Sequence, residues 1–408
     1  MPFALSPAAS ATRRLAPMLV ALLAAFMLAA LQAAPARAVT TVTILDGVTY
    51  VVDPHNRDAG ATATGYDRNH GTNLTLPDTV AIDGIEYAVT RIGTNAFAGA
   101  GLTSIELPRT LTTISSAAFL ENSLSEVHFP DSLTTIEGFA FARNTLTAVD
   151  LPDTVTTIGD LAFTQNAIES LTLPGALASL GKHAFSSNLL TSVDLPDTLT
   201  TVDYKAFFDN RLESVDLPAA LTDLGEEAFG VNALTSVELP ATLRRMGSGV
   251  FRNNNHLTRV QFAGPAPETI SGSEATLPSL GTASGLTIAV PNRLVGDGEG
   301  SYTAPTWKGY ALTTYSTVEF RTGTDADIPP ATPWHGETVT LPTPPERPGH
   351  TFTGWYTTPD ATEQFDPATP VTGDLTLYAG WAGVSVPATP LTPGSGSLGG
   401  GSMNTQRG

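Results

Sequence analysis

The sequence contains no cysteine. Disulfides, thiolate nucleophiles, thiolate metal sites and the lipidated cysteine of a bacterial lipoprotein are thereby excluded. Positive charge is scarce: 20 Lys and Arg stand against 39 Asp and Glu, for a formal charge of −19. Such a field repels phosphate backbones and anionic lipid, so nucleic-acid binding is not expected, and neutral or cationic partners are. Catalytic motifs are absent as well. The 7 histidines, at positions 55, 70, 128, 183, 256, 335 and 350, never fall at helical metal-binding spacing or in an H-E-x-x-H arrangement. No G-x-S-x-G elbow occurs, and serines recurring at Ser170, Ser192, Ser214 and Ser236 read more simply as solvated strand positions. The glycine-rich GSGSLGGGS near the end follows no strand and opens no helix, so it is no phosphate loop. Neither an enzyme nor a cofactor is expected, and no metal site.

What is present is apolar enough to fold. At 408 residues and 41% hydrophobic content there is room for two or three domains with real cores. Residues 1–38 are set apart by Arg13 and Arg14, an apolar run from Leu15 to Leu31, and the small-residue signature Ala36-Arg37-Ala38. This is the pattern of a secretory signal peptide, with a mature chain beginning at Val39; an uncleaved anchor is the alternative. Removal of three arginines and no acid would take the charge from −19 to −22. No membrane span is expected after cleavage. Residues 383–408 are rich in Pro, Gly, Ser and Thr and read as a flexible tail.

The middle of the chain repeats. Phenylalanine recurs every 22 residues at Phe97, Phe119, Phe141, Phe163, Phe185, Phe207, Phe229 and Phe251, and the same step carries Leu-Pro pairs and asparagines 122, 144, 166, 188, 210, 232 and 254. A fixed period of this length means a solenoid, each copy being one coil that cannot bury its apolar face alone. In LTSVDLPDTLTTVDYKAFFDNR, residues 190–211, the spacing of Leu190, Val193 and Leu195 predicts a short strand with Val193 and Leu195 inward and Asp194 outward. Pro196 should end that strand. The Ala-Phe pair predicts a phenylalanine spine. Asn210 is expected at the turn into the next copy, where its side chain bonds the backbone and tolerates a left-handed conformation.

The consensus L-T-S-V-x-L-P-x-T-L-T-T-I-G-x-x-A-F-x-x-N, over residues 73 to 263, resembles the BspA-like (Treponema pallidum type) leucine-rich repeat family. The resemblance implies an exported microbial surface protein whose curved β-array contacts other proteins or surfaces. One departure concerns the glycine before Ala-Phe, present at Gly93, Gly159, Gly181, Gly225 and Gly247 but replaced by Ser115, Glu137 and Asp203, so those three coils are expected to turn differently. Farther on, TVEFRTG, GHTFTGWYTTP and LTLYAGW resemble the Listeria-Bacteroides repeat of bacterial surface proteins, carried by Gly354-Trp355 and by Tyr378 to Trp381. Phe352, Trp355, Phe365, Tyr378 and Trp381 are its expected core; a tryptophan exposed to glycan is the alternative.

The expected fold is therefore mostly β: a leucine-rich-repeat solenoid of 22-residue coils followed by a small β-rich module. The expected units are an N-terminal β cap with a first-repeat insertion (39–90), the array (91–263), a closing cap and linker (264–316) built around Leu286, Ile288 and Val290, the module (317–382) and the tail. Asp46-Gly47 marks a hairpin within the N-terminal cap. One column is chemically biased: the outward strand position reads Glu106, His128, Asp150, Thr172, Asp194, Asp216, Glu238, Gln261. Its acids, Glu106, Asp150, Asp194, Asp216 and Glu238, are the candidate ligand-binding residues, forming a concave acidic column for a basic partner or a divalent cation. The competing reading is that block duplication carried the acids along and solubility is their only benefit. The function expected is adhesion to a protein or cell-surface ligand, outside the cell or on its surface. The alternative is a glycan or cell-wall binder that uses the C-terminal module, with the array as spacer.

Overall fold

The computed structural model describes residues 41–53, 55–270, 280, 286–296, 300–302, 306–307 and 310–383. The signal-peptide reading of residues 1–38 and the tail from 384 onward fall outside the described residues. Within them there is no α-helix, and the only helical elements are three single-turn 3-10 segments. The chain is a β-solenoid that ends in a separate three-stranded sheet.

The phenylalanine spine is its axis. All eight rings are at most 1% exposed. Successive centroids lie 5.1 to 6.1 Å apart with interplanar angles between 3° and 20°. Each ring packs on the next because its backbone amide donates to a carbonyl one coil ahead, as from Phe163 to Ala184 at 2.8 Å. Leucines 111, 133, 177, 199 and 221 belong to the same core and are fully buried.

The ladder that runs most regularly along the array lies at the T-T-I positions, which the periodicity of leucine and proline did not single out. Thr113–Ile114, Thr135–Ile136 and Thr157–Ile158 pair in parallel, and a second sheet runs from Ser179–Leu180 through Thr201–Val202, Asp223–Leu224 and Arg245–Met246 to Thr269–Ile270. At the L-x-x-V-x-L positions the expected strands form at Ser104–Glu106, Ala148–Asp150, Ser170–Thr172, Ser236–Leu239 and Arg259–Phe262, but not at 126–128, 192–195 or 214–217. There the inward valines, Val127, Val193 and Val215, are still buried, so side-chain packing holds the segment where the ladder is incomplete. The proline that follows each segment removes the next donor and keeps these ladders short. One extra residue near Asn255 is absorbed in register: Ser236 pairs with Arg259, 23 positions on.

Two further expectations change. The left-handed residue of each turn is the one before the asparagine, not the asparagine itself: Glu121, Arg143, Gln165, Ser187, Asp209, Val231 and Asn253 all have φ between 55° and 60°. The asparagine is drawn inward by its side chain, and its neighbour takes the reversal. Second, the coils with Ser115, Glu137 and Asp203 turn like the others. Their left-handed residues, Ala117, Phe139 and Lys205, occupy the same position as Leu161, His183 and Glu227 in glycine-bearing coils. The backbone amides of Ser115 and Glu137 donate to Ile92 and Ile114 as that of Gly159 does to Ile136.

Glycine serves close approach there, not a special φ. A Cβ on Gly225 would sit 2.4 Å from the backbone of Asp203 and Tyr204, and one on Gly247 2.2 Å from the amide of Glu226. Where a side chain is present the neighbouring coil accommodates it; the Glu137 carboxylate accepts hydrogen bonds from the amide and hydroxyl of Ser116. Gly225→Ala is expected to cost about 1–3 kcal/mol as the coils are forced apart, measured by urea unfolding.

Both ends of the array are covered. At the N-terminus Thr41–Leu45 and Val48–Val52 form an antiparallel hairpin through Asp46 (φ 46°) and Gly47 (φ 77°), and Ala61–Tyr66 passes the sheet on to Ile85–Ile92 in parallel. Positive φ at both turn residues suits a two-residue hairpin. At the other end Thr287–Pro291 and then Tyr310–Tyr315 continue the parallel stack from Arg259–Phe262.

The C-terminal sheet has Leu375–Gly383 in the centre, parallel to Val318–Arg321 and antiparallel to His350–Tyr356. Its core contains Val318, Phe320, Val339, Trp355, Phe365, Val371 and Leu377, with Phe352 packed against it. Tyr378 and Trp381 are only half-buried and lie outside this core. Leu375, Leu377 and Ala379 take the core side of the central strand, which puts Tyr378 on the other side. Sheet and array are tied by Arg293 to Asp374 at 3.5 Å and by Asn292 Nδ2 donating to the Thr372 carbonyl at 3.0 Å.

Candidate functional site

The outward column forms on one face of the array. Glu106, His128, Asp150, Thr172, Asp194, Asp216 and Glu238 are all exposed. The eighth position departs: Gln261 is buried. Its Oε1 accepts from Arg259 Nη2 at 2.9 Å, and the Arg259 guanidinium lies 5.0 Å from the ring centroid of Trp334. The column therefore ends at Glu238, where the C-terminal part of the chain covers the face. Nearby, the Tyr315 hydroxyl donates to the Phe262 carbonyl at 2.7 Å, and burial, then the Glu238 charge, push its pKa up to about 12.

The bias extends beyond one column. Between Arg109 and Arg259 the six L-x-x-V-x-L-P segments, 124–132, 146–154, 168–176, 190–198, 212–220 and 234–242, carry Glu126, Asp131, Asp150, Asp153, Glu169, Asp194, Asp197, Glu213, Asp216 and Glu238, and no lysine or arginine. Six of the array's cations form ion pairs elsewhere on the coils, whereas Arg109, Lys182 and Arg211 form none among the described residues. Arg91 pairs with Glu137 at 3.5 Å, Arg143 with Glu121 at 2.5 Å, Lys205 and Arg252 with Glu227 at 3.5 and 3.2 Å, Arg244 with Glu268 at 3.2 Å, and Arg245 with Asp223. Among the described residues Asp150, Asp194, Asp216 and Glu238 take part in no ion pair. Glu106, at the first coil, accepts from the Thr75 hydroxyl at 3.1 Å. Asp216 and Glu238 border a groove of about 440 Å³ with Val215, Leu217, Pro240 and Ala263, so acid and apolar surface meet there. Among the described residues no three His, Asp or Glu side chains converge to hold a metal ion.

The asparagine column, read from the sequence as a turn feature, is a hydrogen-bond ladder, with Asn122, Asn144, Asn188, Asn210 and Asn254 buried and Asn166 and Asn232 half-buried. In each of the seven, Nδ2 donates to the phenylalanine carbonyl of the preceding coil, 25 residues back, at 2.8 to 3.0 Å and to that of its own coil at 2.9 to 3.2 Å. Oδ1 accepts from the backbone amide 20 residues back, at 2.9 to 3.2 Å. These side chains face the array's interior and present nothing to a ligand.

Two groups that sequence reasoning passed over are structural too. His183 packs edge-on to Tyr204 at 5.0 Å, and burial, reinforced by the charge of Lys205, lowers its pKa to about 4. It is neutral at physiological pH. Lys205 in turn lies 5.0 and 4.7 Å from the ring centroids of Tyr204 and Phe208 while paired with buried Glu227. In the C-terminal sheet, the Trp355 indole N–H donates to the Pro342 carbonyl at 3.1 Å and the ring is buried. The Trp381 N–H donates to the Thr322 carbonyl at 2.8 Å, and Arg347 lies 5.9 Å from its ring centroid. Trp355 is thus closed off, whereas Trp381 borders an open groove.

A stacked core of leucine and phenylalanine with short parallel strands repeated from coil to coil defines a leucine-rich-repeat solenoid. Residues 83–189 and 156–272 match the model of the BspA type leucine rich repeat region, in six copies, and that part of the chain belongs to this family. Residues 315–380 match the Listeria-Bacteroides repeat domain. A curated relative from Evansella cellulosilytica, named as a putative Gly-rich membrane protein, is 41% identical over 66 residues, 16% of this chain and 8% of that one. A second from the same organism, named as a putative membrane protein, is 39% identical over 67 residues and 10% of its length. The chain thus spans a tenth or less of these relatives. Among solved structures, a leucine-rich repeat protein from Bacteroides ovatus aligns over 69% of this chain and 84% of its own, at 21% identity and TM-score 0.42. The pneumococcal vaccine antigen PcpA aligns over 62% and 88%, at 17% identity and TM-score 0.32.

Proposed function

We propose that the chain is an exported, non-catalytic binding protein that holds a basic protein or cell-surface ligand against the acidic face of its repeat array. A leucine-rich-repeat array is a scaffold for protein contact, and both repeat types are typical of bacterial surface proteins. No helix among the described residues is long and apolar enough to cross a membrane. The observation that carries the reading is the partition of charge: no lysine or arginine stands in the six outward segments, six cations elsewhere on the coils are paired with acids there, and Asp150, Asp194, Asp216 and Glu238 are exposed and, among the described residues, without ion pairs. Bringing like charges onto adjacent coils costs free energy, and a cationic ligand would relieve it. Divalent metal is the weaker partner because no set of three ligands converges.

The test is binding of the whole protein to a lysine-rich peptide, as a function of salt. Asp194→Asn, Asp216→Asn and Glu238→Gln together are expected to weaken it about 10- to 100-fold, at roughly 0.5–1 kcal/mol per charge, with thermal stability maintained. Neutralising Asp53, Asp58 and Asp83 near the N-terminus serves as the control. Equal losses in both variants would reduce the acidic face to a contribution to solubility.

A further inference from the structure

The C-terminal sheet carries a groove of about 610 Å³ between residues 343–352 and Trp381. Phe352 and Trp381 meet edge-on at 5.7 Å, and Pro344, Pro345 and Pro348 line the groove beside them. Two of the groove's polar atoms are already engaged. The Trp381 N–H is held by Thr322, and His350 Nδ1 lies 3.0 Å from the Pro348 carbonyl. The groove thus combines aromatic and proline surface with Glu346 and Arg347 at its side, a lining suited to an uncharged, extended proline-rich segment.

The register of the sheet indicates where such a segment comes from. Gly383, the last residue of the central strand, pairs antiparallel with His350, which itself borders the groove. A chain continuing past Gly383 in that direction runs alongside residues 349 to 343, the groove's own wall. The sequence that follows, VSVPATPLTP, has no charge and places prolines at 387, 390 and 393. Polyproline II has three residues per turn, so prolines three apart share one side of such a helix. Pro387 is four positions on from Gly383, a reach of roughly 13 Å when extended, which brings the first proline to the groove without crossing the sheet.

We propose that this groove is the docking site for residues 387–393 of the chain's own C-terminal segment. The attachment at Gly383 supplies a local concentration in the millimolar range, so even a weak proline–aromatic contact is populated without a second molecule. While it occupies the groove, any other proline-rich ligand has to displace it. This inference is independent of the acidic face.

The test is fluorine NMR on the whole protein labelled with 5-fluorotryptophan, the Trp381 resonance being assigned through Trp381→Phe. Three proteins are compared: the full chain, a chain ending at Gly383, and the full chain with Pro387→Ala, Pro390→Ala and Pro393→Ala. The expected result is that truncation and the triple substitution move the Trp381 resonance to the same new position, at every protein concentration. A synthetic peptide of residues 384–394 returns it in the truncated protein and binds the full chain about tenfold more weakly, because the tethered segment competes. The substituted prolines follow Gly383, the last residue of the central strand, and unchanged resonances of the other tryptophans report that the sheet remains folded. An unmoved Trp381 resonance overturns the proposal. So does a shift that depends on protein concentration, since the occupant would then belong to a second copy.

Discussion

Replacing Phe163 with alanine is expected to lower the free energy of unfolding by about 3–5 kcal/mol. The ring is fully buried, stacked at 5.4 Å on Phe141 and 5.3 Å on Phe185, and touched edge-on by Phe129 at 6.2 Å. Removing it deletes contacts to three rings and opens a cavity inside a continuous column, where neighbouring coils cannot collapse without breaking their own stacking. In a linear array each coil is stabilised chiefly by its neighbours, so damage at a central coil uncouples the two halves. Urea unfolding monitored by circular dichroism is expected to show a lower midpoint and a broadened or two-step transition. A single sharp transition with a loss under about 1 kcal/mol would mean that the spine is not what couples the coils.

The second large effect is expected at Asn188, which is 4% exposed. Its Nδ2 donates to the carbonyls of Phe163 and Phe185 at 3.0 and 3.1 Å, and its Oδ1 accepts from the amide of Ile168 at 3.1 Å. Asn188→Ala leaves these three backbone groups buried without that partner, at about 1–3 kcal/mol for each group that finds no water, so a loss of roughly 3 kcal/mol or more is expected. Asn188→Asp is the sharper test. The carboxylate still accepts from Ile168 but sets negative oxygen against two carbonyl oxygens in a dry interior, so this nearly isosteric change should destabilise more than alanine does near neutral pH. Thermal and urea unfolding of the two variants give the order; the reverse order would show that the amide donor is dispensable.

The two substitutions mark the difference between what the repeat announces and what it conceals. Phe163 stands in a column of identical residues at a fixed period, and a large apolar side chain repeated at every coil has one economical destination, the interior of a stack. Asn188 stands in an equally regular column, yet asparagine is common in exposed turns, and a one-dimensional pattern cannot tell a turn residue from an internal bridge. The deciding partners lie 20 and 25 positions away, visible only once coils are superposed. The same limit explains the left-handed residues, which vary freely from Glu121 to Val231 because the reversal is imposed by the asparagine that follows and leaves no residue type of its own.

The acidic face shows the division from the functional side. Alternation along V-x-L placed Asp194, Asp216 and Glu238 outward, and they are outward. Gln261 obeys the same alternation but is buried: it bonds Arg259 of its own strand, whose guanidinium lies against Trp334 from the C-terminal part of the chain, and nothing in the repeat records that ring's arrival. Likewise Trp355 and Phe365 entered the core of the C-terminal sheet as their apolarity suggests, whereas Tyr378 and Trp381 did not.

By itself, then, the sequence determined the stacked, mostly β repeat, the buried phenylalanine column and the sign of charge on its outward positions, since each follows from a strict period acting on strongly apolar or strongly acidic side chains. The tertiary structure alone decided where the regular ladder runs, what the asparagines bond, where the acidic column stops and which aromatic residues border a groove. Those outcomes depend on hydrogen bonds and contacts between residues remote in the chain, whose geometry exists only after neighbouring coils and the terminal sheet have come together.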